Sequence, residues 1–254
     1  MYFRALRFLR PGRRCDLHRR GAAFTLIELL VIVGIIGLLV AVLVPVLSQA
    51  RQKRWEAGCL ANLRQTGLAL NMWVDDNNGW LPPGAGSADG LLMEQTYGYR
   101  ETPLDHARLV YYLAPYLGAP PPDGVERAVG AFICPGSQRP ADDVTNATGR
   151  VYYGLCGQGT GNVPAAGAGL PFAPFGYPGW AGTPEAPHKL ADVQLVRSLT
   201  EVWTLCDIDG ISFPAPAGGW IDQLPERPAH GSVRNYLFFD GHAATKKIIP
   251  PGRL

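Results

Sequence analysis

The sequence predicts an α+β protein, a long N-terminal helix followed by a β-rich globular head, on three observations. Leu29–Leu47 is a run of nineteen residues without a charge. A helical spacing of apolar and small residues continues beyond it to Val74 and stops at Asp75-Asp76-Asn77-Asn78-Gly79. After Gly79 the pattern changes to short runs of β-branched and aromatic residues, in a chain holding 31 Gly and 23 Pro, a content that favours strands and turns over a helical bundle.

Residues 1–23 carry seven Arg and one Asp, and read as a basic leader. The block that follows, Phe24–Leu47, would reach about 36 Å as a helix, enough for a hydrocarbon core of roughly 30 Å. It is longer than the apolar core of an ordinary secretory signal, about 7–15 residues. The arginines on its N-terminal side place the N-terminus in the cytoplasm and the rest outside it, as a single pass of the inner (cytoplasmic) membrane. Two residues interrupt the block. Glu28 is a carboxylate near the start of the span, either shallow enough to reach water or paired with a cation from another subunit. Pro45 lies late in it and is expected to kink or locally melt the helix.

Trp55, Cys59, Leu63, Gly67, Leu70 and Val74 recur at three- and four-residue steps, so residues 48–78 read as an amphipathic continuation of the helix, with Gly79 suited to its C-cap. The organisation expected is thus a leader (1–23), a membrane or assembly helix (24–47), its amphipathic continuation (48–78) and a head (79–254). In the head, strands are expected at Phe132–Cys134, Val151–Leu155, Val202–Asp207 and Val233–Phe239, and a short helix at His106–Tyr116. Asp240-Gly241, between Val233–Phe239 and His242–Ile249, is a hairpin signal. Residues 157–187, rich in Gly, Pro and Ala, read as a long surface loop anchored by Phe172, Phe175, Tyr177 and Trp180, packing on itself rather than on a partner.

Without residues 1–23 the chain keeps 16 basic and 20 acidic residues, a formal −4, which leaves no electrostatic footprint for nucleic acid. Of five cysteines, Cys15 is in the leader. Cys59, Cys134, Cys156 and Cys206 form an even set in the part placed outside the cytoplasm, where disulfides persist. Four cysteines allow three pairings. A Cys59–Cys134 bridge would staple the helix to the head, and Cys156 and Cys206, each at a strand end, would form the second; four buried free thiols are the alternative.

The string Arg19-Arg20-Gly21-Ala22-Ala23-Phe24-Thr25-Leu26-Ile27-Glu28 resembles the processing site of type IV pilins and type II secretion pseudopilins. In that family a basic leader ends in a small residue, a dedicated aspartic peptidase cuts before Phe, and the new amine is methylated. The resemblance implies cleavage between Ala23 and Phe24, methylation of Phe24, and Glu28 as the fifth residue of the mature chain, pairing with a neighbouring subunit's terminus. Pro45 falls at the twenty-second mature position, where the family often has proline. The family's residue before Phe is usually Gly; here it is Ala23, and cleavage after Gly21 would move Glu28 by two positions. The spacing His230, nine residues, Asp240-Gly241 is similar to the H-x9-DG signature of a large bacterial group of prepilin-type proteins. Cys59-Leu-Ala-Asn-Leu-Arg-Gln-Thr-Gly-Leu-Ala-Leu70 and Phe132-Ile-Cys-Pro135 add to that likeness.

The resemblance implies a structural subunit of a pseudopilus or pilus-like fibre. Its partners would be a prepilin peptidase, other pilin or pseudopilin subunits and an inner-membrane assembly platform. A membrane-anchored extracytoplasmic binding protein or enzyme, with a site in the head, is the alternative. No nucleophile elbow, P-loop or Glu-containing zinc helix occurs, so no catalytic role is expected. No cofactor is required. Among metals, zinc would suit His230, His242 and Asp240, whereas calcium, held in the C-terminal loops of some pseudopilins, would suit Asp207, Asp209 and Asp240. The reading preferred over either is that Asp240-Gly241 is a turn and His230 bonds to the hairpin backbone.

Overall fold

The computed structural model describes residues 25–85, 87, 90–92, 94–136, 151–156, 170–178, 184–209, 211, 224 and 228–248. The fold is α+β: one long apolar helix followed by a region built on an antiparallel sheet. The chain divides between Leu47 and Ser48 into two compact units.

Helix α1 spans Leu26–Asp76. Its first part, Leu26–Leu47, exposes every side chain to its surroundings, and its most apolar 18-residue window has a mean hydropathy of 3.2. A helix of that length and composition could span a membrane. Of the two effects expected of Pro45, a kink or local melting, melting does not occur; the helix runs through. A proline removes only the one N–H that would bond four residues back, and the bonds on either side persist.

In the second unit α1 presents one buried stripe: Cys59, Leu63, Thr66, Gly67, Leu70 and Val74, at the three- and four-residue steps of a single helix face. Trp55, grouped with that stripe by spacing, is 42% exposed and lies outside it. The helix ends in a left-handed turn shared by two residues. Asn78 and Gly79 have φ of 53° and 83°, and the Gly79 N–H donates to the Val74 carbonyl at 2.8 Å. This is the 6→1 bond of a Schellman motif, so Asn78, rather than Gly79, holds the first left-handed position.

The main sheet has five antiparallel strands in the order β1 (Glu94–Thr96), β4 (Val151–Leu155), β5 (Trp203–Asp207), β6 (Val233–Phe238), β7 (Ala243–Lys247). A two-stranded ribbon pairs β2 (Gly98–Tyr99) with β3 (Arg127–Ala128). Among the described residues the head also holds two short helices, α2 (Leu109–Leu113) and α3 (Leu190–Val196). Helix α2, flanked by 3₁₀ turns, occupies the centre of the helix expected at His106–Tyr116. The strand expected at Phe132–Cys134 is instead a 3₁₀ turn at Gly130–Phe132 running into an extended Ile133, and neither Ile133 nor Cys134 belongs to a strand. Pro135 ends that stretch and offers no N–H to a ladder.

Register fixes which side chains share a face. Leu205 pairs with Leu155 and Leu237, and Asp207 with Tyr153, so these five alternate onto one side of the sheet. A Cβ built on Gly67 of α1 would lie 2.8 Å from Leu237 Cδ1 and 3.2 Å from Gly241 Cα. That side therefore receives the helix, with Gly67 packed directly against it. The β6–β7 hairpin closes as a three-residue loop, Phe239-Asp240-Gly241, between Phe238 and His242. Gly241, at φ 87°, takes the left-handed bulge position.

The stretch read as a long surface loop is only partly described; Trp180 lies outside the described residues. Phe175 is buried and stacks on Phe239 at 5.7 Å, while Phe172 stacks on His188 at 4.1 Å. Both rings are anchored on the head itself.

Candidate functional site

Two places gather the residues singled out by sequence. The first is the start of α1. The junction Ala23–Phe24 lies outside the described residues. Thr25 is the N-cap and Glu28 the third helical residue, and they bond reciprocally. The Glu28 N–H donates to Thr25 Oγ1 at 3.2 Å, and Glu28 Oε2 accepts the Thr25 N–H at 2.9 Å and its hydroxyl at 2.8 Å. Thr-x-x-Glu is a capping box, a local signal visible in the sequence that the family motif overlies. The carboxylate thus has a role within its own chain: it satisfies a helix-end donor and complements the positive end of the helix dipole.

The second place is where the three dispersed landmark stretches meet. Cys59 of α1 and Cys134 are joined by a disulfide, with Cα atoms 5.2 Å apart. Three residues along, Asn62 Nδ2 donates to the Ile133 carbonyl at 2.8 Å, fastening the same helix to the same segment. His230, its side chain only 2% exposed, sets Nε2 3.2 Å from Cys134 Sγ and 3.5 Å from Asp207 Oδ2. One ligand atom from each of Cys59, Cys134, Asp207 and His230 lies within 4.8 Å of the others. A Cβ on Gly136 would stand 2.6 Å from the His230 ring, so only glycine leaves the imidazole its place. The Phe132-Ile-Cys-Pro135 stretch and the H-x9-DG signature are therefore two walls of one site.

Asp207 is held in it from β6: Oδ2 accepts the Asn235 N–H at 2.9 Å, while Oδ1 has no hydrogen-bond partner among the described residues. Burial dominates its electrostatics and pushes its carboxyl up to about 7, and burial likewise pushes His230 down. Both shifts favour the uncharged forms.

The remaining predicted site residues are placed elsewhere. Asp209 makes a buried two-point ion pair with Arg234, at 2.7 and 2.8 Å. Asp240 caps its own turn, with Oδ1 accepting the His242 N–H at 3.1 Å and lying 2.6 Å from His242 Nδ1. Asp207, Asp209 and Asp240 are thus divided among three sets of partners, and the calcium trio is not assembled among the described residues. His242 stacks on Phe238 at 4.2 Å and does not join His230 as a second imidazole of one metal site. The His230 backbone bridges to Val233 at the start of the hairpin, as the turn reading expects, while its ring faces sulfur and carboxylate.

The second bridge expected, Cys156–Cys206, is absent: both are buried free thiols. Cys206 stands opposite Gly154, and Cys156 is bonded across to Thr204, so the two cysteines are diagonal neighbours. Diagonal positions are about 7–8 Å apart, beyond the reach of a disulfide. Burial pushes the Cys156 thiol up to about 12 and raises that of Cys206 further.

No protein-family model, curated protein or solved structure matches the chain.

Proposed function

We propose that this chain is a pilin-like structural subunit, anchored in the inner membrane by Leu26–Leu47 and assembled into a pseudopilus or pilus-like fibre through that helix. The observation that carries the reading is a single carboxylate, Glu28, at the head of an apolar helix segment whose side chains are all exposed among the described residues. A helix in that condition must be covered by lipid or by its own kind. In this reading a prepilin peptidase cuts between Ala23 and Phe24, the Phe24 amine is methylated, and the arginine-rich leader keeps the N-terminus cytoplasmic. The new amine and Glu28 then carry opposite charges into a low-dielectric bundle, where a neighbour's charge is the best replacement for water. Pairing between subunits sets the axial register, an assembly platform supplies the force, and the head decorates the outside.

The capping box gives the test its resolution. Glu28→Gln keeps a side chain able to cap Thr25 and loses the charge; Glu28→Leu loses both. The expected result is that neither variant enters sheared fibres, although both reach the membrane. Fibres built normally from the Gln variant would show that Glu28 only caps its helix and would remove the pairing role. Mass analysis of the mature N-terminus should find methylated Phe24; an intact 1–23 leader would overturn the processing step.

A membrane-anchored binding protein or enzyme remains the second reading. The enclosed Cys59, Cys134, Asp207 and His230 cluster is the observation that favours it.

A further inference from the structure

We infer that Cys59, Cys134, His230 and Asp207 form a four-ligand Zn²⁺ site whenever the Cys59–Cys134 bond is reduced. The inference concerns the second unit, from Ser48 onward, and does not depend on how the chain assembles. Its first support is composition. Two sulfurs, one imidazole and one carboxylate are the donors that tetrahedral zinc takes, whereas calcium needs six to eight oxygens and finds one carboxylate here.

Its second support is geometry. Zinc–ligand bonds of ordinary length at tetrahedral angles put a sulfur about 3.6 Å from a nitrogen, and a nitrogen about 3.3 Å from an oxygen. Here Cys134 Sγ lies 3.2 Å from His230 Nε2, and Nε2 lies 3.5 Å from Asp207 Oδ2. Two of the edges are thus within about 0.4 Å of those of a coordination tetrahedron, and all four ligand atoms lie within 4.8 Å of one another. Its third support is the unspent capacity of the site. Asp207 is 4% exposed, and its Oδ1 lacks a hydrogen-bond partner among the described residues, a costly condition for a buried carboxylate. The donors come from distant parts of the chain, α1, the segment before Pro135, β5 and a residue three positions before β6. A metal there would fasten the same elements that the disulfide fastens.

Disulfide and metal therefore exclude one another. A dithiol reductant attacks the Cys59–Cys134 bond, becomes a cyclic disulfide itself, and leaves two thiols. Zn²⁺ then displaces their two protons, and the thiolates part to about 3.8 Å across the metal. A disulfide oxidant reverses the exchange: it takes two electrons from the thiolates and two protons from water to become two thiols, while the protein disulfide re-forms and Zn²⁺ leaves.

The test uses the full chain in detergent micelles, reduced with a phosphine, desalted without oxygen and given Zn²⁺ or Co²⁺. Reduced wild type should retain about one zinc per chain, and Co²⁺ should give the visible bands of a tetrahedral site with a near-ultraviolet thiolate charge-transfer band. The oxidised chain should retain none. His230→Gln and Asp207→Asn should each weaken zinc binding by at least about 100-fold, the upper end of what even outer partners of a metal contribute. Formation of the Cys59–Cys134 bridge in the oxidised variants, read by peptide mapping without reductant, shows that they fold. If they do not fold, the wild-type stoichiometry and cobalt spectrum decide. Reduced wild type binding no more zinc than Cys59→Ser/Cys134→Ser would overturn the inference, as would His230→Gln and Asp207→Asn binding like wild type.

Discussion

Leu26–Leu47 and Ser48–Asp76 belong to one helix and solve opposite problems. The first stretch is apolar on every side and has no buried side chain among the described residues, so its surroundings must supply its stability. The second has a polar face and one buried stripe, so the chain supplies its own cover. Glycine marks the difference. Cβ atoms on Gly34 and Gly37 would meet nothing within 4 Å, whereas one on Gly67 would strike Leu237 and the Gly241 backbone. The same residue type is a vacancy awaiting neighbours in one half and a packing requirement in the other.

That contrast breaks most sharply under substitutions of opposite kinds. Leu63→Ala, at a fully buried position, should cost the head about 2–5 kcal/mol in denaturant unfolding and leave membrane retention unchanged. Gly37→Arg should do the reverse. A charge at mid-span costs about 2.5–3.5 kcal/mol of insertion, read by carbonate extraction, with the unfolding midpoint of the head unmoved. If Gly37→Arg destabilised the head, the division of the chain near Leu47 would have no energetic meaning.

Cys134→Ala removes the covalent fastening of helix to head and should cost about 2–4 kcal/mol under oxidising conditions. Under reduction without metal, mutant and wild type should converge. The Cys59–Cys134 pair was legible from its parts, a cysteine on the packing face of a helix and another beside Pro135. What sequence could not show was company: His230 and Asp207 lie 96 and 73 positions from Cys134, and only strand register and a glycine at 136 bring them to it. The second bridge failed for a related reason. A cysteine at the end of each of two strands reads as a pair until register makes them diagonal. The hairpin and three strands of the sheet, β4, β5 and β6, were legible because Asp-Gly and runs of β-branched and aromatic residues are local signals. Strand β1 was not, since Glu-Gln-Thr gains its place only by pairing with β4.

Gly67→Val should cost about 1–3 kcal/mol through overpacking against Leu237 and Gly241, with thermal unfolding as the readout. Gly37→Val should leave head stability within error. Gly58, whose added Cβ would meet only Pro135 Cγ at 3.4 Å, is the internal control. Gly58→Ala should be neutral or stabilise by up to about 1 kcal/mol through helix propensity.

The smallest effect distinguishes free thiols from a bridge in the head. Burial raises Cys156 from the ordinary thiol range to about 12, so the folded state holds its proton more tightly than the unfolded chain. The stability linked to it is fully present below the unfolded value of about 8.5 and is lost as pH rises towards 12. Cys206 shifts the same way. Between pH 7 and 9 each thiol should cost the head about 1 kcal/mol of unfolding free energy, ahead of the tyrosines, whose phenols ionise in the unfolded chain only near pH 10. Cys156→Ala should remove about half of that slope, measured by urea titration at the two pH values. A slope unchanged in Cys156→Ala would mean that Cys156 holds no proton to lose, as a Cys156–Cys206 disulfide requires, and the diagonal register of β4 and β5 would have to be redrawn.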